Sequence, residues 1–144
     1  MSQVHATCVE VEGMGVLLRG PSGSGKSDLA LRLIDGGARL VADDRTDLAV
    51  EDGRLIATCP AALAGRLEVR GVGIGSVPSV ARAVVGLVVD LVAADRVERL
   101  PDWAPCRIDG IAVPCLALAP FEASAPAKLR LAARWVQCSI MPPR

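Results

Sequence analysis

Aromatic side chains are almost missing from this chain: two tryptophans (Trp103 and Trp135), one phenylalanine (Phe121) and no tyrosine among 144 residues. That poverty argues against a stacking platform for single-stranded nucleic acid. It also means that the core must be built from Val, Leu, Ile and Ala. Net charge is absent too. Sixteen basic and sixteen acidic side chains cancel, so nothing in the balance suggests a protein that coats duplexes or anionic membranes. Histidine occurs once, at His5. The five cysteines (Cys8, Cys59, Cys106, Cys115, Cys138) are odd in number and never spaced Cys-x-x-Cys. Zinc would lack partners here, and reduced thiols in a cytoplasmic protein are the expectation. The N-terminus carries no basic, apolar leader pattern. The longest apolar run, Ala83 to Val92, is cut by Asp90 and is too short to span a bilayer.

What is present is apolar and patterned. Hydrophobic residues make up 51% of the chain and charged ones 22%, which excludes a disordered polyelectrolyte. The length predicts one domain over residues 1–144. Thr7 to Glu12 alternates as a half-buried strand does, and Val16-Leu17-Leu18 reads as a buried one. Leu29, Ala30, Leu33 and Ile34 recur at helical spacing until Gly36-Gly37. Arg39 to Ala42 is a further strand that runs into Asp43-Asp44. Strand-like runs flank Glu51-Asp52-Gly53, a hairpin signal. Pro60 to Ala64 suggests a helical turn, and Leu67 to Arg70 alternates again. Val84 to Val92 suits a core strand, with a buried helix as the other possibility. Ile111 to Leu118 is a strand interrupted by Pro114, and Ala125 to Gln137 is a helix that tolerates Pro126 in its first turn. The fold class expected is α/β, a single domain with a central mixed sheet.

The segment Gly20-Pro21-Ser22-Gly23-Ser24-Gly25-Lys26-Ser27 matches G-x-x-x-x-G-K-[ST] in full. Its glycines let backbone N–H groups turn inward around a phosphate. The helix that follows adds its N-terminal amides. Lys26 would reach the β- and γ-phosphates, and the Ser27 hydroxyl would ligate Mg²⁺. Asp43 and Asp44 stand sixteen and seventeen residues beyond Ser27. Strand ends of a parallel sheet share the crevice of such a loop. One carboxylate could then take a proton while the other holds Mg²⁺. Glu68, on the same face of its strand as Arg70, is a candidate third metal carboxylate. Gly71-x-Gly73 does not complete a dinucleotide-binding fingerprint, because Ser76 stands where glycine is needed.

His5, the glycine-rich loop, Leu40-Val41-Ala42-Asp43-Asp44 and Leu67-Glu68-Val69-Arg70-Gly71-Val72-Gly73-Ile74, in that order, resemble the catalytic domain of the HPr kinase/phosphorylase family. The resemblance covers roughly residues 3 to 120. It implies a fold similar to the phosphoenolpyruvate carboxykinase-like P-loop core, with ATP and Mg²⁺ as cofactors. The activity it implies is transfer of the γ-phosphoryl group to a serine of an HPr-like phosphocarrier of the phosphotransferase system. Asp43 would be the base, Ser27, Asp44 and Glu68 would serve Mg²⁺, and His5 would lie beside the aspartate pair and tune Asp43. Arg70 would support the phosphate or the partner serine. A homohexamer is implied as well.

Two departures shape the expectation. The resemblance begins at the catalytic domain, without the N-terminal regulatory domain of longer members. The Pro-Gly-Arg-Asn loop tied in the family to the phosphorylase reaction is replaced by Pro120 to Arg130, so the kinase direction is expected. Lys128, Arg130 and Arg134 on the last helix are expected to form a solvated basic face, with contact to a partner or a neighbouring subunit as the alternative. The alternatives are a non-catalytic module that senses ATP or phosphate, and a small-molecule kinase; an intact aspartate pair argues against the first and the lack of an Arg-rich lid against the second.

Overall fold

The computed structural model describes residues 1–138. In chain order the strands and helices are β1 (Ser2–Val4), β2 (Ala6–Val11), β3 (Met14–Arg19), α1 (Lys26–Asp35), β4 (Arg39–Ala42), β5 (Thr46–Glu51), β6 (Arg54–Thr58), β7 (Arg66–Val69), β8 (Gly73–Ser76), β9 (Arg82–Leu91), β10 (Cys106–Ile108), β11 (Ile111–Val113), β12 (Cys115–Leu118) and α2 (Ala125–Gln137). The expected mixed α/β architecture is there. A curled eight-stranded sheet runs β1-β5-β6-β9-β3-β2-β4, with β12 added to β9. Two small hairpins, β7–β8 and β10–β11, stand apart from it.

Local chemistry explains most element ends. Asp52 and Gly53 both take positive φ, the backbone a two-residue hairpin turn requires between β5 and β6. Gly37 does the same after α1, at φ 109°. Val84 to Val92 resolves as strand: β9 pairs with β3 and β12 in parallel and with β6 antiparallel. Pro114 splits the expected Ile111–Leu118 strand in two, and the halves join different sheets. β1, β8 and β10 had no counterpart in the sequence pattern; each is only three or four residues long.

Both faces of the sheet are dry. On one, Val16, Leu18, Leu87 and Val89 pack against Leu29 and Leu33 of α1 and Leu129 and Ala133 of α2. On the other, Cys8, Leu17, Val41, Leu48, Leu55 and Val88 form a second cluster, covered in part by the β10–β11 hairpin. The core is aliphatic, as the composition required; none of the three aromatics is among the buried residues, and Trp103 and Trp135 lie against each other with centroids 6.4 Å apart. Truncating a leucine such as Leu18 or Leu29, both fully buried, should cost about 2–5 kcal/mol. The described cysteines are all unpaired. Burial pushes the Cys8 thiol up to about 12, so it is a neutral core group at ordinary pH.

Lys128 and Arg134 of α2 are exposed, as expected of a solvated face, and each is paired within the chain. Arg134 pairs with Glu12 at 3.1 Å, Lys128 with Glu122 at 3.3 Å, and the Arg130 guanidinium lies against Gly36 at the end of α1. The helix uses its charges to hold its own chain.

Candidate active site

β3 delivers the chain into the glycine-rich loop, and α1 begins at Lys26. The loop's backbone needs its glycines: Gly23 has φ 82° and Gly25 φ 97°, values that other L-residues adopt only with strain. At Gly20 a Cβ would collide with the side chain of Ser24. Ser24 N–H donates to the Pro21 carbonyl at 3.0 Å and tightens the turn. The Lys26 side chain is 6% exposed and folds back over this loop, with Nζ donating to the carbonyls of Gly20 at 2.7 Å and Pro21 at 3.1 Å. An ammonium has three donors, so one N–H remains for an anion above the loop.

The acidic pair reaches the same place by a route the sequence reading simplified. β4 is not the parallel neighbour of β3. β2 lies between them and is antiparallel to both, so β3 and β4 point the same way and end on one edge of the sheet. The result is a single cleft of about 400 Å³, lined by Ser22, Gly23, Lys26, Ser27, Asp43, Asp44, Glu68 and Arg70 among others. Gly20, Pro21 and Ser24 form the loop beneath it. Arg70 enters from the turn after β7, not from the strand itself, which ends at Val69.

Within the cleft Asp43 is the most connected carboxylate. Its Oδ1 accepts from Ser27 Oγ at 2.7 Å and from Thr7 Oγ1 at 3.1 Å, and its Oδ2 accepts from the Glu68 backbone N–H at 3.3 Å. Thr7 also accepts from the Asp44 N–H at 3.0 Å. Thr7 is completely buried and was not among the expected site residues. Only strand pairing reveals it, because β2 places it beside the end of β4.

Asp44 faces elsewhere. Its backbone is left-handed, with φ 65°, a strained state that asparagine and aspartate tolerate best. The turn aims Oδ1 at His5 Nε2, 2.5 Å away. His5 therefore lies beside the aspartate pair, as the resemblance implied, but its contact is with Asp44 rather than Asp43.

The metal question turns on this arrangement. Among the described residues no group of three or more His, Cys, Asp or Glu side chains gathers as a cation cage. Mg²⁺ does not require one: it is commonly held by one or two protein groups, with water and substrate phosphates completing the octahedron. The Ser27 hydroxyl, which meets Asp43 at 2.7 Å, fits as one such protein donor. Asp44 and Glu68 line the same cleft and fit as further or water-bridged donors.

The HPr Serine kinase C-terminal domain profile matches residues 1–101. Among curated relatives, the HPr kinase/phosphorylase of Clostridium tetani is 43% identical over 104 residues, 71% of this chain and 33% of that protein. The Clostridium novyi protein of the same name is 44% identical over 108 residues, 74% of this chain and 34% of its own. The chain thus spans about a third of the length of these relatives. The solved structure of the Hpr(Ser) kinase/phosphatase from Coxiella burnetii superposes with a TM-score of 0.87 at 31% identity, covering 97% of this chain and 99% of that one.

Proposed function

The chain belongs to the HPr serine kinase C-terminal domain family, and from that premise we propose that it is an ATP- and Mg²⁺-dependent kinase that phosphorylates a serine of an HPr-like phosphocarrier protein. The observation that carries this reading is the Ser27–Asp43 contact. A hydroxyl at the head of α1 and a carboxylate at the end of β4 meet at 2.7 Å in one cleft, so the phosphate-binding element and the acidic element act on the same atoms. We further propose residues 1–144 as one catalytic domain with a phosphoenolpyruvate carboxykinase-like P-loop core, acting in the cytoplasm as a homohexamer. No helix among the described residues is long and apolar enough to cross a membrane.

In this reading the inward N–H groups from Gly20 to Ser27 and the start of α1 seat the ATP phosphates. Lys26 moves from the loop carbonyls onto the β- and γ-phosphate oxygens. Ser27, with Asp44 and Glu68 as further or water-bridged partners, would hold Mg²⁺, which would neutralise the charge that spreads over the phosphates. The acceptor serine must come in line with the γ-phosphorus, beside Ser27. Asp43 is the carboxylate there, and we assign it as the base. It takes the hydroxyl proton as the serine oxygen bonds to phosphorus; the bond from phosphorus to the β-bridging oxygen breaks, and ADP leaves with its electron pair. Thr7 and the Glu68 N–H hold the Asp43 carboxylate in that pose. His5 acts one residue further out and fixes Asp44. Arg70, on the open side, steadies the γ-phosphate or the incoming serine.

The test is a phosphotransfer assay with purified protein, ATP·Mg²⁺ and HPr, run with and without inorganic phosphate. Phosphoserine on HPr is expected. The replacement of the Pro-Gly-Arg-Asn loop by Pro120 to Arg130 predicts that phosphate does not drive the product back. ATP binding without any phosphoserine would instead identify a nucleotide-sensing module.

A further inference from the structure

Phe121 is the only phenylalanine in the chain. Its ring is 70% exposed, yet it is not on a random surface. It lines the same cleft as Lys26 and Ser27. Its edge presses on the loop: a Cβ at Gly25 would stand 2.9 Å from Phe121 Cζ and 3.2 Å from Pro120 Cβ. A clamp also holds it in place. Arg32, on α1, donates Nε to Asp28 at 3.1 Å and Nη1 to the Glu122 carbonyl at 3.2 Å, and its Nη2 donates to the Pro120 carbonyl. The carbonyls on either side of Phe121 are thus tied to the helix that follows the loop.

We propose that Phe121 is the platform on which the nucleobase of the bound nucleoside triphosphate stacks, and that it reads the face of a purine without distinguishing adenine from guanine. This rests on the phosphate-loop reading of Gly20 to Ser27. With the phosphates on the loop amides, sugar and base must leave along a wall of the cleft. The wall beside Gly25 is the one that offers an aromatic face, with Leu31 next to it. The other exposed apolar residues nearest the cleft, Val72 and Ile74, are aliphatic and belong to the β7–β8 hairpin and its turn. The lack of edge discrimination follows from the partners. Asp28 and the Pro120 and Glu122 carbonyls are engaged by Arg32, and the Glu122 carboxylate by Lys128 at 3.3 Å. The Phe121 wall thus meets the base chiefly through a π face, and stacking on a π face tolerates any base.

The experiment is calorimetric titration of the wild type, Phe121→Ala and Phe121→Trp with ATP, GTP and inorganic tripolyphosphate, each with Mg²⁺. Loss of one base–aromatic stack should weaken ATP and GTP alike by roughly tenfold in Phe121→Ala. Tripolyphosphate, which has no base, should bind all three proteins equally, and Phe121→Trp should restore nucleotide affinity. An equal loss for tripolyphosphate would show that the ring only shapes the loop and overturn the proposal. So would an undiminished ATP affinity in Phe121→Ala, or a strong preference between ATP and GTP that survives in that variant. If the wild type binds neither nucleotide nor tripolyphosphate, the phosphate-loop reading fails as well; if it binds both and the Phe121 variants behave as wild type, that reading stands and this one does not.

Discussion

The floor and the rim of the cleft are built on opposite principles. On the floor, the polar side chains expected to carry the chemistry have partners within the chain: Lys26 on the loop carbonyls, Ser27 and Thr7 on Asp43, His5 on Asp44. On the rim, Glu68 and Arg70 are exposed, and Val72 and Ile74 nearby present apolar surface to water at 86% and 70% exposure. A pre-bonded floor holds the reacting groups in one geometry, which is where catalytic rate comes from. An unpartnered rim has its contacts still to make, and it makes them with whatever docks. In the proposed reading the difference assigns turnover to the floor and partner affinity to the rim.

That assignment breaks most easily at Lys26. Lys26→Ala should lower phosphotransfer by about 10²–10³-fold through loss of transition-state charge stabilisation; single-turnover rates would show it, and a loss confined to KM would contradict the division. Asp43→Asn should follow at roughly 10²-fold in kcat. Its ATP affinity should hold, measured by calorimetry. A Mg²⁺ titration sharpens the pair: a raised Mg²⁺ requirement in Asp44→Asn and not in Asp43→Asn fits the assignment of base and metal carboxylate, and the reverse result exchanges them. Thr7→Val is smaller, about tenfold in kcat, with a loss of roughly 1–2 kcal/mol in urea unfolding because the half-buried Asp43 carboxylate loses a donor and the Asp44 N–H its acceptor. Arg70→Ala should be smallest, a few-fold rise in KM for the carrier that shrinks in high salt, since rim charges act mainly on encounter. A fall in kcat there would move Arg70 from rim to floor.

How much of this the sequence disclosed depends on distance along the chain. The loop from Gly20 to Ser27 is one contiguous motif, and its flanking strand and helix follow from apolar spacing. Asp43-Asp44 is legible because it ends a clear apolar strand. What stayed hidden depends on pairing. Thr7 looks like any strand threonine until β2 is inserted between β3 and β4. The partner of His5 depends on the left-handed turn at Asp44, which no local pattern announces. β8 escaped because Gly73-Ile74-Gly75-Ser76 carries no strand signal without β7 beside it. The packing of Phe121 on Gly25 joins positions almost a hundred residues apart.

The backbone at Asp44 carries a consequence for how such a protein can change over generations. At φ 65°, a glycine would fit without the strain of about 1 kcal/mol or more that a side chain bears there, offset in part by its greater freedom when unfolded. Asp44→Gly should therefore leave the fold about as stable as before while it removes a carboxylate from the cleft. Screens for expression or thermal stability would pass such a variant unnoticed. In the proposed reading, one substitution at this position would weaken the metal side of the site without an intervening unstable form.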